Sequence, residues 1–411
     1  MRLLNTSTFQ AEQVVSSKLP EYATLSHTWE AGEVTFAELM EGGSLVTGVE
    51  RPGYEKLKAL CGLAMKSGLK YAWVDTCCID QSSGSELDEA FTSMYNWFED
   101  SKVCFVYLAD SDSIHDIHRS KWFTRGLTLQ ELVAPRKVKF HSRRWEELGT
   151  KTSLASTIAK ITGIAVDILR HERHPKSASV AERMSWAAKR STTLIEDGAY
   201  SLIGLFNIRM TVKNGEGLFA FLRLWEEMLK SLEDYTVLLW TNPSGQTKEP
   251  SHLWNPVVPD PAFVPRNDTS NTENLDSIKW NELKLHSPLD LESTEFLASC
   301  LPPIEKEPQG PQFTSRGLKM SLFAKAVGPN LIAWTYCTQE KNGSTYALCV
   351  RVIPTNTGDF TERKYLRGVV SGDVCYVAVN RLRGFALKDI YFSLRTERDF
   401  RNLDKNLLGS Q

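Results

Sequence analysis

Four short apolar runs, Tyr22 to Ser26, Tyr71 to Val74, Val103 to Leu108 and Val138 to His141, alternate with amphipathic stretches through the first 150 residues. Between them Leu57, Leu60, Cys61 and Ala64, then Leu87, Phe91, Met94, Tyr95 and Phe98, recur at spacings of three and four. That is the period of a helix with one buried face. Strand, helix, strand, helix predicts a doubly wound α/β layer with a largely parallel sheet over 1–150. In such a sheet ligands bind beyond the carboxyl ends of the strands. The most unusual polar groups fall there: Ser26-His27-Thr28-Trp29 after the first run, Asp75-Thr76-Cys77-Cys78-Ile79-Asp80-Gln81 after the second, Asp110-Ser111-Asp112 after the third.

The rest of the chain changes character twice. Residues 151–235 read as a helical subdomain packed on the first domain. Ser179 and Glu182 mark one helix start, Glu196-Asp197 a second, and Leu218, Phe221, Leu222, Trp225, Met228, Leu229 and Leu232 form the core stripe of a third. Residues 236–312, rich in proline, asparagine and serine, read as a long loop region. From 313 to 411 alternating residues predict an antiparallel β domain, with strands at Leu318 to Leu322, Leu331 to Tyr336, Tyr346 to Val352, Val374 to Val379 and Ile390 to Leu394.

Composition removes several function classes. Among 411 residues, 48 Lys and Arg stand against 50 Asp and Glu, a net charge of −2, so no field for nucleic acid is available. No apolar run approaches the roughly 18 residues of a membrane span, and the N-terminus turns polar at once. The eight cysteines are scattered without a CxxC motif, which argues for reduced thiols, a cytoplasmic address and no metal site. Glycine-rich phosphate loops and a GxSxG elbow are missing, so ordinary Rossmann, P-loop and hydrolase readings lose support.

Local chemistry leaves alternatives open at each polar position. His27 suits a hydrogen-bonded turn as well as a site. Asp75 and Asp80 suit turns or helix caps, and Cys77-Cys78 suit apolar packing. Gly126 and Pro135 bracket a short helix on which Glu131 sits beside Leu129 and Leu132. A carboxylate at the edge of that apolar face is partly desolvated and can be tuned for catalysis. The pattern alone favours a salt bridge from Glu131 to Arg125 or Lys121.

Three blocks resemble the fungal heterokaryon-incompatibility (HET) domain family. Tyr22 to Trp29 matches its Tyr-x-x-Leu-Ser-x-x-Trp pattern, and Trp73 to Gln81 its Trp-x-Asp-x-x-Cys-Ile-x-Gln block. Trp122 to Leu132 matches Trp-Phe-x-Arg-Gly-Trp-Thr-Leu-Gln-Glu-Leu, with Leu127 standing where the family usually has tryptophan. Ala181 to Arg190 and Glu196 to Leu202 resemble the helices that follow such domains, while Asn214 replaces the usual aromatic residue before Gly-Glu-Gly. The resemblance extends over about residues 20–232 and implies non-self recognition and programmed cell-death signalling, akin to innate immunity.

The HET domain is in turn similar to the Toll/interleukin-1 receptor (TIR) domain, a flavodoxin-like sheet whose enzymatic members cleave NAD at the nicotinamide–ribose bond. Their catalytic glutamate lies in a Ser-x-Trp-Cys-x-x-Glu-Leu block, and Arg125 to Leu132 is the corresponding run. The resemblance makes Glu131 the catalytic candidate, a carboxylate opposing positive charge on the ribose. Ser26 and His27 would contact phosphate or ribose, Trp29 would stack on a base, and Asp75 and Asp80 would shape the far wall. Cys78 and Arg125 complete the expected ligand-binding set. NAD would be the substrate; no resident cofactor is implied. The expected partners are a second copy of the chain and an incompatibility-signalling protein. The competing expectation is a non-enzymatic TIR-like scaffold that signals by oligomerising.

Overall fold

The computed structural model describes residues 1–15, 18–42, 51–217, 219–232, 234–238, 283–285, 300–301, 311–314, 317–327, 330–341, 343–354 and 366–392. The chain divides into two compact units, Met1–Ser177 with Lys189–Glu216, and Ala178–Ala188 with Gly217–Gln411.

In the first unit, β1 (Arg2–Asn5), β2 (Ala11–Gln13) and β3 (Tyr22–His27) precede α1 (Phe36–Gly42) and α2 (Pro52–Lys66). Then follow β4 (Tyr71–Trp73), α3 (Asp75–Cys78), α4 (Gly84–Glu99), β5 (Val103–Tyr107), α5 (Thr128–Val133), β6 (Val138–His141), β7 (Glu147–Thr150), α6 (Ala155–Thr162) and α7 (Val166–Leu169). The next helix, α8 (Val180–Ala187), belongs to the second unit; α9 (Ile195–Tyr200) and α10 (Ile203–Phe206) complete the first.

The expected largely parallel sheet is present. Its strand order is β2-β1-β4-β3-β5-β6-β7, and β4, β3, β5 and β6 are mutually parallel. Numbered by appearance, these four run 2-1-3-4, the doubly wound order, so the chain reverses its direction of travel at β3. The antiparallel strands β1 and β7 flank them. Every residue of β3 is buried, which explains its unbroken apolar reading. α2 buries Leu57, Leu60, Cys61 and Ala64 as the periodicity predicts, but also Lys56. α4 buries Met94, Tyr95 and Phe98, whereas Leu87 and Phe91 are half-buried; Phe91 meets the Tyr200 ring at 5.6 Å. Trp73 packs against Trp97 and Phe98 at 5.5 and 5.4 Å between ring centres.

In the second unit Ser179 caps α8 by accepting from the Glu182 N–H, and Asp234 and Thr236 accept from Val180 and Ala181. The expected third helix is α11 (Phe219–Ser231). The expected loop of 236–312 lies almost wholly outside the described residues; within it β8 (Leu283–Leu285) pairs antiparallel with Cys337, Thr338 and Gln339. The strands β9 (Gln312–Thr314), β10 (Gly317–Val327), β11 (Asn330–Lys341), β12 (Ser344–Pro354), β13 (Leu366–Ala378) and β14 (Ala386–Phe392) follow. Two features depart from a simple antiparallel sheet. β10 pairs with both β14 and β11, so the ladder from β10 to β14 closes on itself. At that closure Leu366–Gly368 of β13 lies parallel to Ile390–Phe392 of β14. Val379 belongs to the 3-10 turn Val379–Gly384 rather than to a strand. Phe323, Trp334 and Tyr336 fill the core.

Candidate functional site

Because β3, β4 and β5 are parallel, the polar clusters after them meet at one edge of the sheet. Successive residues of a strand face opposite sides, so Ser26 and His27 begin two different networks.

Ser26 faces α5. Its hydroxyl donates to Glu131 Oε2 and accepts from the indole N–H of Trp122 at 2.8 Å. Trp122 is set by a 3-10 turn, Lys121–Thr124, whose start is fixed by Asp110: its carboxylate accepts from Ser120 Oγ at 2.6 Å and from the Lys121 N–H at 2.8 Å. Glu131 is 5% exposed. Burial pushes its carboxyl up to about 8, Asp75 adds to the rise, and Ser26, His27 and Arg125 oppose it. Neither Arg125 nor Lys121 forms an ion pair with Glu131 among the described residues. The partner is instead Ser26, 105 residues earlier in the chain.

His27 faces α2. Nε2 lies 3.2 Å from Asp75 Oδ1, and Nδ1 lies 3.5 Å from Glu33 Oε1, at the outer edge of hydrogen-bond range. Burial alone would lower the imidazole, but the two carboxylates outweigh it and raise His27 to about 9. Glu33, despite burial, is held down to about 2 by His27 and Lys56. Lys56 Nζ sits 2.5 Å from Glu33 Oε1 and 2.9 Å from Glu30 Oε2. At the other end Asp75 Oδ2 accepts from Trp29 Nε1 at 2.8 Å. Charges therefore alternate along Lys56, Glu33, His27 and Asp75, and the row ends on an indole that is 44% exposed yet fixed in orientation.

Buried cations lie at both ends of α5. Arg190 Nη1 donates to Arg125 O and Thr128 Oγ1, both at 2.9 Å. At the other end Lys151, 1% exposed, donates to Leu132 O at 3.0 Å, to Pro135 O, and to His171 Nε2 at 2.9 Å. A cation at the carboxyl end of a helix meets the negative end of its dipole. Burial pushes His171 down to about 4, Lys151 adding to the effect, and burial likewise pushes Lys151 down to about 7, so the neutral imidazole accepts from the lysine nitrogen. Lys151→Met keeps the stem and removes every donor. With Lys151 at about 7 rather than the ordinary 10.5, the folded chain lacks a proton that the unfolded chain holds between those values, and wild type gains stability as pH rises from 7 to 10.5. Methionine has no proton to release, so Lys151→Met, which loses the donors at every pH, should melt lowest relative to wild type near pH 10 and recover by about 4 kcal/mol relative to it toward pH 7. A difference between the two melts that does not change over that range would refute this.

The remaining expected residues stand apart. Cys78 is buried beside Cys77 and borders a small cavity of about 50 Å³ lined also by Arg2, Trp73, Ile79 and Glu86, none of which belongs to the Glu131 cluster. Asp80 Oδ1 accepts from the Ser82 N–H and hydroxyl, the turn-forming role of a post-strand aspartate. Arg125 contributes its backbone: its carbonyl accepts from Arg190, and a bridge joins it to Ser191. The sequence reading left Glu33, Lys56, Trp122 and Lys151 out of the site. Only Trp122 had a local signal, its place in the third block. Among the described residues no group of three His, Cys, Asp or Glu could hold a metal ion, and no helix is long and apolar enough to cross a membrane.

Comparison with known proteins covers the first two of the three sequence blocks, Tyr22 to Trp29 and Trp73 to Gln81, and the matched family model ends before the third. A family model, Heterokaryon incompatibility protein (HET), matches residues 22–116. A stretch of 216 residues is 43% identical to vegetative incompatibility protein HET-E-1 of Podospora anserina, covering 49% of this chain and 16% of that protein. The chain thus spans a small part of that relative's length. No solved structure matches. The resemblance to the heterokaryon-incompatibility family is supported over residues 22–116 by the family model and over 216 residues by that relative.

Proposed function

We propose that the α/β unit acts in fungal heterokaryon incompatibility by hydrolysing NAD at the nicotinamide–ribose bond, with Glu131 as the catalytic carboxylate. One observation carries this reading. Glu131 is a buried carboxyl raised to about 8, without an ion-pair partner among the described residues, at the carboxyl edge of the sheet beside the point where strand order reverses. A purely structural carboxylate gains nothing from such a position, whereas a perturbed acid at a topological switch point is the usual mark of a site.

In the reaction, the bond between ribose C1′ and the pyridinium nitrogen breaks, and its electron pair passes to that nitrogen. Neutral nicotinamide leaves. Water oxygen bonds to C1′, and a water proton passes to solvent. Ionised Glu131 opposes the positive charge on the ribosyl group, and the Ser26 hydroxyl fixes the carboxylate. The full chain incubated with NAD is expected to release nicotinamide. Because Glu131 must be ionised, kcat/KM should climb about tenfold per pH unit and level off above about 8.

A second reading draws support from closure. Glu131 and His27 are each 5% exposed, which suits a TIR-like scaffold that self-associates and signals to a protein partner without catalysis. Absence of nicotinamide release at every pH and at high protein concentration would reject the enzymatic reading in favour of this one.

A further inference from the structure

At the far side of the same sheet edge, the hairpin between β6 and β7 carries a strained aromatic residue. Trp145 has φ 63°, the left-handed region that a bulky side chain enters only at a cost. Its indole stacks on Tyr107 with ring centres 4.6 Å apart and planes 22° from parallel, and remains partly exposed. The hairpin is fastened from several sides. Ser142 Oγ accepts from the Arg144 and Glu146 N–H groups, the Arg143 N–H donates to Ser111 O at 2.9 Å, and Tyr107 OH donates to Arg143 O at 3.2 Å. Beside the indole, the side chains of Arg143 and Arg144 are 52% and 68% exposed, with Asp112 their shared carboxylate at 2.6 and 3.9 Å.

The register relates this platform to the site. His27 of β3 is level with Tyr107 of β5, and Tyr107 with His141 of β6. Two strand spacings separate β3 from β6, about 10 Å. Trp29, fixed by Asp75 beyond the end of β3, and Trp145, fixed by Tyr107 beyond the end of β6, therefore offer two aromatic faces along one edge. Next to the second face lie two arginines suited to phosphate oxygens.

We infer that Trp145, Arg143 and Arg144 form a subsite for the nucleoside-monophosphate half of a dinucleotide, the base on the indole and the phosphate on the guanidinium groups. This rests on the NAD reading for the identity of the base, adenine, and places the nicotinamide half past Trp29, where the ribose crosses the sheet edge to reach Glu131 on the Ser26 side. The strain at Trp145 then has a reason: the left-handed turn holds the indole flat on Tyr107 as a preformed stacking surface.

AMP is the probe, because it carries the base and phosphate but no bond for Glu131 to act on. Calorimetric titration of the full chain with AMP is expected to give saturable binding. Trp145→Gly, whose backbone adopts the left-handed turn freely, should weaken it about 5- to 150-fold, the range of one lost base–aromatic stack. Trp145→Phe should retain most of it. If NAD is turned over, KM for NAD should rise by the same factor in Trp145→Gly, while nicotinamide mononucleotide, lacking the adenosine half, is processed unchanged. No AMP binding to wild type at millimolar concentration would overturn the subsite. So would equal AMP binding by wild type and a Trp145→Gly protein with an unaltered melt. Trp145-dependent AMP binding without NAD turnover would support the subsite and count against Glu131 catalysis alone.

Discussion

Glu131→Gln is expected to abolish NAD turnover and to make the first unit more stable at neutral pH. Glutamine keeps the shape of the side chain and can still pair with Ser26, but it carries no negative charge toward a ribosyl cation. Loss of a preorganised charge-stabilising group costs roughly 3–4 kcal/mol of transition-state energy, a factor of about a hundred to a thousand in kcat. The stability change has the opposite sign. Glu131 is raised to about 8 from the ordinary 4.5. Between those values the folded chain holds a proton that the unfolded chain has released, so its stability falls as pH climbs through that window. By pH 7 the loss amounts to about 3 kcal/mol. Glutamine has no proton to release, so Glu131→Gln should melt higher than wild type at pH 7 and converge with it near pH 4.5. His27, raised to about 9, also loses its contribution as pH rises, from 6.5 upward, but both proteins share that loss. A variant that keeps full activity refutes the catalytic role. A variant that melts lower than wild type at pH 7 refutes the account of the buried carboxyl. Only the combination of lost chemistry and gained stability fits a site that holds a costly group for its function.

The sheet edge was legible in sequence because a parallel sheet writes its strands as short apolar runs and its ligand edge as the polar residues that end them. Tyr22 to Ser26 and Val103 to Leu108 located β3 and β5 to within a residue at either end. Periodicity also placed Glu131 on a short helix, but it described only neighbours on that helix, so Arg125 and Lys121 were the partners it offered. The observed partner comes from β3, and no local pattern joins residues 105 apart. Lys56 shows the same limit. On the buried face of α2 it interrupts an apolar stripe, and only the fold brings Glu33 and Glu30 to neutralise it. The left-handed turn at Trp145 had no signal because a bulky residue is the last expected there. The parallel β13–β14 contact follows from closure of the ladder, which alternation along single strands does not encode.

Gly53→Ala is expected to destabilise the first unit by about 3 kcal/mol or more, the upper part of the range for overpacking. Gly53 lies in the first turn of α2, behind Pro52, and the segment Gly32 to Val34 crosses directly over it. A Cβ there would stand 2.5 Å from Gly32 O, 2.6 Å from Glu33 Cα and 2.8 Å from Val34 N. All three are backbone atoms, so no side-chain rotation relieves the overlap and the crossing segment itself must lift. That segment carries Glu33, which bridges Lys56, one turn further along α2, to His27 on β3. Lifting it withdraws one of the two carboxylates that hold the imidazole at about 9. Two readouts should therefore move together. The melting temperature should fall by roughly 6–12 °C for a unit of this size, and the His27 imidazole should titrate at lower pH in an NMR pH series. Asp75, on another element, still holds Nε2, so His27 should not fall as far as an unpaired buried histidine. Loss of stability without movement of the His27 titration would mean that Glu33 does not depend on this close approach. Unchanged values for both would mean that the helix and the crossing segment separate freely, and that the row of charges leading to Trp29 is not fixed by α2.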